Sequence, residues 1–188
     1  MTQAALSPAH EARRERLVHV IQGEYGVSAD PSVVFTTILG SCVATCMWDP
    51  IARVGGMNHF LLPGDKEGGS DLVRYGVNAM ELLINGLLQS GAARGRLQAK
   101  LFGGAHVIHN LSDVGAQNAE FAKRFLNAEA IACVAMSLGG ERARRVRFWP
   151  TSGRAGQMFI EANAPEVVNA TRAPAPAPSS AAGSVELF

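Results

Sequence analysis

The sequence predicts a mixed α/β domain, a sandwich of mixed strands built from hairpins and flanked by two main helices. Three observations predict it. Short β-branched and apolar runs alternate with turns rich in Gly, Asp and Pro. Two longer segments carry apolar residues at spacings of three and four. Nothing in the chain matches a phosphate loop: Gly103-Gly104 lacks a following Lys-Ser/Thr, and no Gly-x-Gly-x-x-Gly is present. A doubly wound nucleotide fold is therefore not expected.

Bulk properties narrow the class. With 188 residues the chain reads as one domain, large enough to bury a core without disulfides. A net charge of +1 supplies no general attraction to nucleic acid or anionic lipid. No apolar run approaches the roughly 20 residues that span a bilayer. Met1 to Arg16 is polar and lacks the apolar centre of a secretion signal. Three cysteines, an odd number without framework spacing, fit reduced thiols in the cytoplasm. The expected organisation is a polar extension over 1–16, a domain over 17–164, and an Ala/Pro/Ser-rich disordered tail over 165–188.

The elements follow in order. Val18 to Ile21 reads as a short strand, Gly23 to Gly26 as a polar turn, and Val33 to Thr37 as a strand after Asp30-Pro31. A hairpin spans Cys42 to Leu62, folded at Asp49-Pro50-Ile51-Ala52, and Pro63 to Gly69 reads as a loop. From Ser70 the period changes: Val73, Val77, Met80, Leu83, Ile84, Leu87 and Leu88 mark an amphipathic helix ending near Ser90-Gly91. A strand at Leu97 to Phe102, a helix at Ala116 to Asn127 and a strand at Ile131 to Leu138 come next. Strands at Arg145 to Trp149 and Gln157 to Glu161 close the domain.

The chemistry concentrates in Thr36-Thr37-Ile38-Leu39-Gly40-Ser41-Cys42 and in His59. With the turn centred between Pro50 and Ile51, Cys42 faces His59, and opposed residues have Cβ atoms roughly 4.5–5.5 Å apart. A Cys–His pair suits covalent acyl transfer: the ring takes the thiol proton and the sulfur attacks a carbonyl. Gly40 and Ser41 permit a sharp turn whose N–H groups can face a developing oxyanion. Cys46, set opposite Gly55 on this register, reads as packing. A third group must orient the imidazole; Thr36, Thr37, Asn58 and Ser41 are all available. Thr36 and Thr37 point to opposite faces, so at most one serves. His106 and His109 have no Cys, Asp or Glu at ligand spacing, and no metal site is expected. Arg142, Arg144, Arg145 and Arg147 read as a solvated hairpin edge, with docking of an acidic partner as the alternative.

These residues resemble the CheD family, the chemoreceptor glutamine deamidases of bacterial chemotaxis. The resemblance lies in Thr36-x-x-x-Gly40-Ser41-Cys42-Val43, Asp49-Pro50, Gly55-Gly56-Met57-x-His59-x-x-Leu62-Pro63, Lys100-x-Phe102-Gly103-Gly104-Ala105, and Gly139-Gly140-Glu141-Arg142 with Val146-x-Phe148. It covers about Val18 to Ile160. It implies a fold similar to the catalytic domain of the cytotoxic necrotising factor toxins. It also implies Cys42 as nucleophile, His59 as base and Thr36 as third catalytic member, with no cofactor or metal. The implied activity is cysteine-dependent conversion of receptor glutamine to glutamate, a protein-glutamine glutaminase reaction. The implied partners are the cytoplasmic domains of methyl-accepting chemoreceptors, with a CheC-type phosphatase as a further one. The alternative function is a binding module that stimulates such a phosphatase. The chain departs from the usual family pattern at Gln117, where Arg is common.

Overall fold

The computed structural model describes residues 14–62, 69–106 and 114–160 as two stacked β-sheets with two helices on one outer face. The strands are β1 (Arg16–His19), β2 (Tyr25–Ser28), β3 (Val33–Leu39), β4 (Val43–Asp49), β5 (Val54–Asn58), β6 (Gln98–Gly103), β7 (Ala132–Leu138), β8 (Arg144–Trp149) and β9 (Arg154–Phe159). The helices are α1 (Gly69–Gln89) and α2 (Val114–Ala128). One sheet has the order β1-β3-β8-β9, the other β2-β5-β4-β6-β7. β1–β3 and β6–β7 are parallel, and every other pair is antiparallel. The mixed-strand α/β sandwich predicted from the sequence is the architecture found. Residues 1–13 of the expected 1–16 extension, 63–68 of the expected 63–69 loop, His109 and the expected 165–188 tail lie outside the described residues.

Two cores follow from strand alternation. In β4, Val43 and Met47 face the helices, where they meet Phe60, Met80, Leu83, Ile84 and Leu87. Ala44, Cys46 and Trp48 face the other way, into a layer shared with Val33, Phe35 and Leu39 of β3 and with Val146 and Phe148 of β8. Because both faces of β4 are covered, all seven of its residues are buried. Lys100 crosses the gap between the sheets: its Nζ donates to the Gly153 carbonyl at 2.8 Å and lies 5.2 Å from the Trp48 ring centre. Gly153, at φ +70°, admits that tryptophan, since a Cβ there would sit 2.2 Å from the Trp48 ring.

Three expectations are corrected. The segment read as a turn at Gly23 to Gly26 runs into strand β2, because Gly26 lies against the Phe35 ring, where a Cβ would come within 2.6 Å. The β4–β5 hairpin pairs Asp49 with Val54 and Met47 with Gly56, so its loop has four residues, Pro50 to Arg53. Two-residue hairpin loops need a positive φ at their first position, which proline's ring forbids at Pro50. Cys46 consequently opposes Met57, not Gly55. Finally, Arg144 is not solvated. It is 1% exposed, with Nη1 donating to the Ser137 carbonyl (2.6 Å) and hydroxyl (3.0 Å), Nη2 donating to the Gly139 carbonyl, and the Phe159 ring 5.3 Å away.

Asp49 fixes the hairpin. Its buried carboxylate accepts the N–H groups of Ile51 (2.9 Å), Ala52 (3.0 Å) and Ala93 (2.9 Å), and pairs with Arg96 at 2.7 Å. Burial would raise its pKa, but the Arg96 bond and the three backbone donors outweigh it and hold the group far below the usual carboxylate range. Its stabilising contribution is therefore present above about pH 4 and is lost as pH falls. Asp49→Asn is expected to cost about 2–3 kcal/mol at pH 7 in urea denaturation. The gap between variant and wild type should narrow as the titration is repeated toward pH 2.

Candidate active site

Cys42 lies just before β4 and His59 just after β5. The bridge between Val43 and Phe60, with reciprocal bonds of 3.0 and 2.9 Å, carries the hairpin register past both of them. On that register His59 opposes Ala44, and Cys42 is its diagonal neighbour on the same face. The expected direct opposition is thus off by two residues. A shift of two preserves side-chain direction, so thiol and imidazole still share the face that looks at the other sheet. Diagonal neighbours have about 7–8 Å between backbones, within reach of a long or aromatic side chain.

The imidazole is oriented from β3. Its Nδ1 lies 2.8 Å from Thr37 Oγ1 and 3.3 Å from the Val20 carbonyl oxygen. A carbonyl only accepts, so Nδ1 carries the ring proton and Nε2 holds the lone pair. That Nε2 is buried and has no hydrogen-bond partner among the described residues. An orphaned buried acceptor is costly, and here it is the atom a general base would use.

The threonine on the ring is Thr37, not Thr36. Residues 33, 35 and 39 of β3 line the layer between the sheets, so position 37 points there as well. Thr36 points away and donates to the Val146 carbonyl at 2.9 Å, within its own sheet. Asn58, the other candidate in β5, faces α1: its Oδ1 accepts the Thr45 N–H at 2.9 Å and its Nδ2 donates to the Ala79 carbonyl at 3.0 Å.

Around the sulfur, Gly40, Ser41 and Cys42 form the bend between β3 and β4. The bend is clamped from two sides. Gly104 N–H donates to the Cys42 carbonyl at 2.8 Å, and Ala105 N–H to the Gly40 carbonyl at 2.8 Å. Gly103, at φ +112°, has to be glycine, because a Cβ there would meet the Cys42 carbonyl oxygen at 2.1 Å. On the other side stands Asn118 of α2, wholly buried. It donates to the Ser41 carbonyl (3.1 Å) and accepts the Leu62 N–H (2.7 Å), tying the nucleophile bend to the segment after His59. Gln22, in the β1–β2 turn, accepts the Cys42 thiol proton on Oε1 at 3.5 Å. Neither Asn118 nor Gln22 was singled out by spacing, since both are brought in from other elements. Cys42 itself is buried, with this contact on its sulfur.

Electrostatically the resting pair is neutral. Burial pushes the Cys42 thiol up to about 11 and the His59 imidazole down to about 4. Cys46 is wholly buried in the layer between the sheets, and burial raises its pKa still further. Among the described residues no three His, Cys, Asp or Glu side chains converge as metal ligands. No helix among them is long and apolar enough to cross a membrane.

Comparison with known proteins identifies the family. Residues 61–158 match the model of the family described as CheD chemotactic sensory transduction. A protein of a Caulobacter species is 59% identical, covering 91% of this chain and 92% of its own length. One of Acidiphilium cryptum is 53% identical over the whole of both chains, and one of Agrobacterium fabrum 54% over 95% of this chain and 99% of its own. Each is named a probable chemoreceptor glutamine deamidase CheD. Among solved structures, a hypothetical protein of Bacillus licheniformis, YfiH, overlays at a TM-score of 0.43 and 12% identity, over 66% of this chain and 60% of its own.

The unfolded chain takes up a proton on His59 near pH 6.5, whereas the folded chain does so only near pH 4. Stability should therefore fall as pH drops through that window. Between pH 7 and 4.5 the wild type is expected to lose about 2–3 kcal/mol more than His59→Gln, read from urea midpoints at the two pH values.

Proposed function

The chain belongs to the CheD family, and on that premise we propose that it is a cysteine-dependent protein glutamine deamidase acting on chemoreceptors in the cytoplasm. The observation that carries the chemistry is the free Nε2 of His59, held by Thr37 through Nδ1 on the face that also bears Cys42. Nε2 takes the proton of Cys42 Sγ as the sulfur bonds to the side-chain carbonyl carbon of a glutamine. The oxygen becomes an oxyanion beside the Cys42 N–H and the Gly40-Ser41 bend. The imidazolium then protonates the departing nitrogen, which leaves as ammonia, and a thioester remains on Cys42. Water, deprotonated by the same Nε2, hydrolyses that thioester to glutamate and restores the thiol.

Charge separation between thiol and ring is costly in this buried site, so proton transfer and carbon–sulfur bond formation proceed together instead of through a resting ion pair. Thr37 is a positioning residue, fixing the aim of the ring, while the Val20 carbonyl selects its tautomer. Thr36 belongs to the sheet. The substrates in this reading are glutamines on the cytoplasmic helices of methyl-accepting receptors.

Incubation with a purified receptor cytoplasmic fragment, read by mass spectrometry, should show the mass gain of amide-to-acid conversion at specific glutamines. Cys42→Ala should show none. An active alanine variant, or stable binding by the wild type with no mass gain, overturns the deamidase reading, the latter in favour of a binding role. Thr37→Val is expected to lower kcat on the order of 10²-fold through misplacement of the ring. Thr36→Val should keep kcat within about threefold and lose about 1 kcal/mol of stability.

A further inference from the structure

We propose that Gln22 is the side-chain half of the oxyanion hole, donating through Nε2 to the carbonyl oxygen of the substrate carboxamide as the sulfur adds to it. The inference rests on the deamidase reading above and deepens it.

Gln22 is placed by the same backbone that places the base. The Gly23 N–H donates to the His59 carbonyl at 2.8 Å, and the His59 N–H to the Glu24 carbonyl at 3.0 Å. On the other side of the residue the Val20 N–H donates to the Thr36 carbonyl at 3.0 Å, and the Val20 carbonyl lies 3.3 Å from His59 Nδ1. The turn is thus fastened to β3 before Gln22 and to the His59 backbone after it. The half-buried side chain leaves this frame to end at the nucleophile, with Oε1 at 3.5 Å from Cys42 Sγ. No other side chain hydrogen-bonds that sulfur among the described residues.

A carboxamide carries an acceptor and a donor on one planar unit, and a half-turn about its last bond exchanges them. In the resting site the acceptor faces the S–H. Once the thiol proton moves to His59, that acceptor faces a sulfur with no hydrogen, and a new oxyanion forms two bonds from the sulfur, on the carbon it attacks. The exchanged orientation brings the NH₂ group to that region. There it complements the backbone N–H of Cys42 at the Gly40-Ser41-Cys42 bend. One backbone donor plus one side-chain donor is a sufficient set for a tetrahedral intermediate, and losing one such donor costs on the order of 10²–10³ in kcat.

The test uses the full-length chain and a receptor cytoplasmic fragment, with deamidation kinetics beside the rate at which iodoacetamide alkylates Cys42. Alkylation consumes the sulfur nucleophile without making an oxyanion. Gln22→Leu is expected to lower kcat about 10²–10³-fold, with KM and the alkylation rate each within about threefold of wild type. Gln22→Glu, nearly the same shape but with no donor, should lose kcat at least as far; it carries the test if the leucine variant does not fold. Retention of kcat within about threefold in either folded variant overturns the proposal. So does a parallel fall of kcat and alkylation, which would place Gln22 on the thiol proton, or a rise in KM alone. Wild-type chain that converts no glutamine brings down the deamidase reading and this inference together. Active wild type with an equally active Gln22→Leu brings down this inference alone.

Discussion

The hydrogen bond between Thr37 Oγ1 and His59 Nδ1, 2.8 Å long, is the contact on which the site depends. It crosses from one sheet to the other, so the imidazole is aimed only when the two sheets are packed together. The apolar layer of Phe35, Leu39, Cys46, Trp48, Met57 and Phe148 sets that packing. Core and catalysis are thereby coupled: the side chains that exclude water between the sheets also remove water from the ring. Desolvation lowers the basicity of His59 and raises the pKa of Cys42 together, which leaves a neutral pair at rest.

Support for the nucleophile comes from further away in sequence than support for the base. The bend at Gly40-Ser41-Cys42 is held by the end of β6, through Gly103-Gly104-Ala105, and by Asn118 of α2. The Gly-Gly pair resembles a phosphate cradle in composition, yet its role is close approach: backbone passes over backbone where no side chain fits. β6, α2 and β7 form a parallel crossover unit packed on β4. The nucleophile therefore rests on a rigid element, while the base is fixed across the sheet gap.

Legibility in the sequence followed the strength of periodic signals. α1 and α2 were readable because Met80, Leu83, Ile84 and Leu87, and likewise Ala122, Phe125 and Leu126, recur at helical spacing and are the residues found buried. Cys42 and His59 were readable as a pair because a register error of two leaves side-chain direction unchanged. The threonine was not readable. β3 is apolar on both faces, with Val33 and Phe35 on one side and Val34 and Ile38 on the other, so alternation gives no inward direction. β2 was hidden by Gly26, which looks like turn chemistry but is a contact requirement set by Phe35. Gln22 and Asn118 belong to elements whose approach to the sulfur is a matter of tertiary packing, and local sequence carries no trace of it. The proline at position 50 did contain the hairpin's loop length, through the φ values it excludes.

The placement of the cysteines bears on oxidative damage. Cys42 and Cys46 lie four residues apart along one extended segment, about 13 Å at the rise of a strand, far beyond the span a disulfide can close. The third cysteine, Cys133, is on β7, two strands away from β4. A sulfenic acid formed on Cys42 thus has no resolving thiol within this fold, and its reduction depends on a small thiol or a reductase able to pass the carboxamide that covers it.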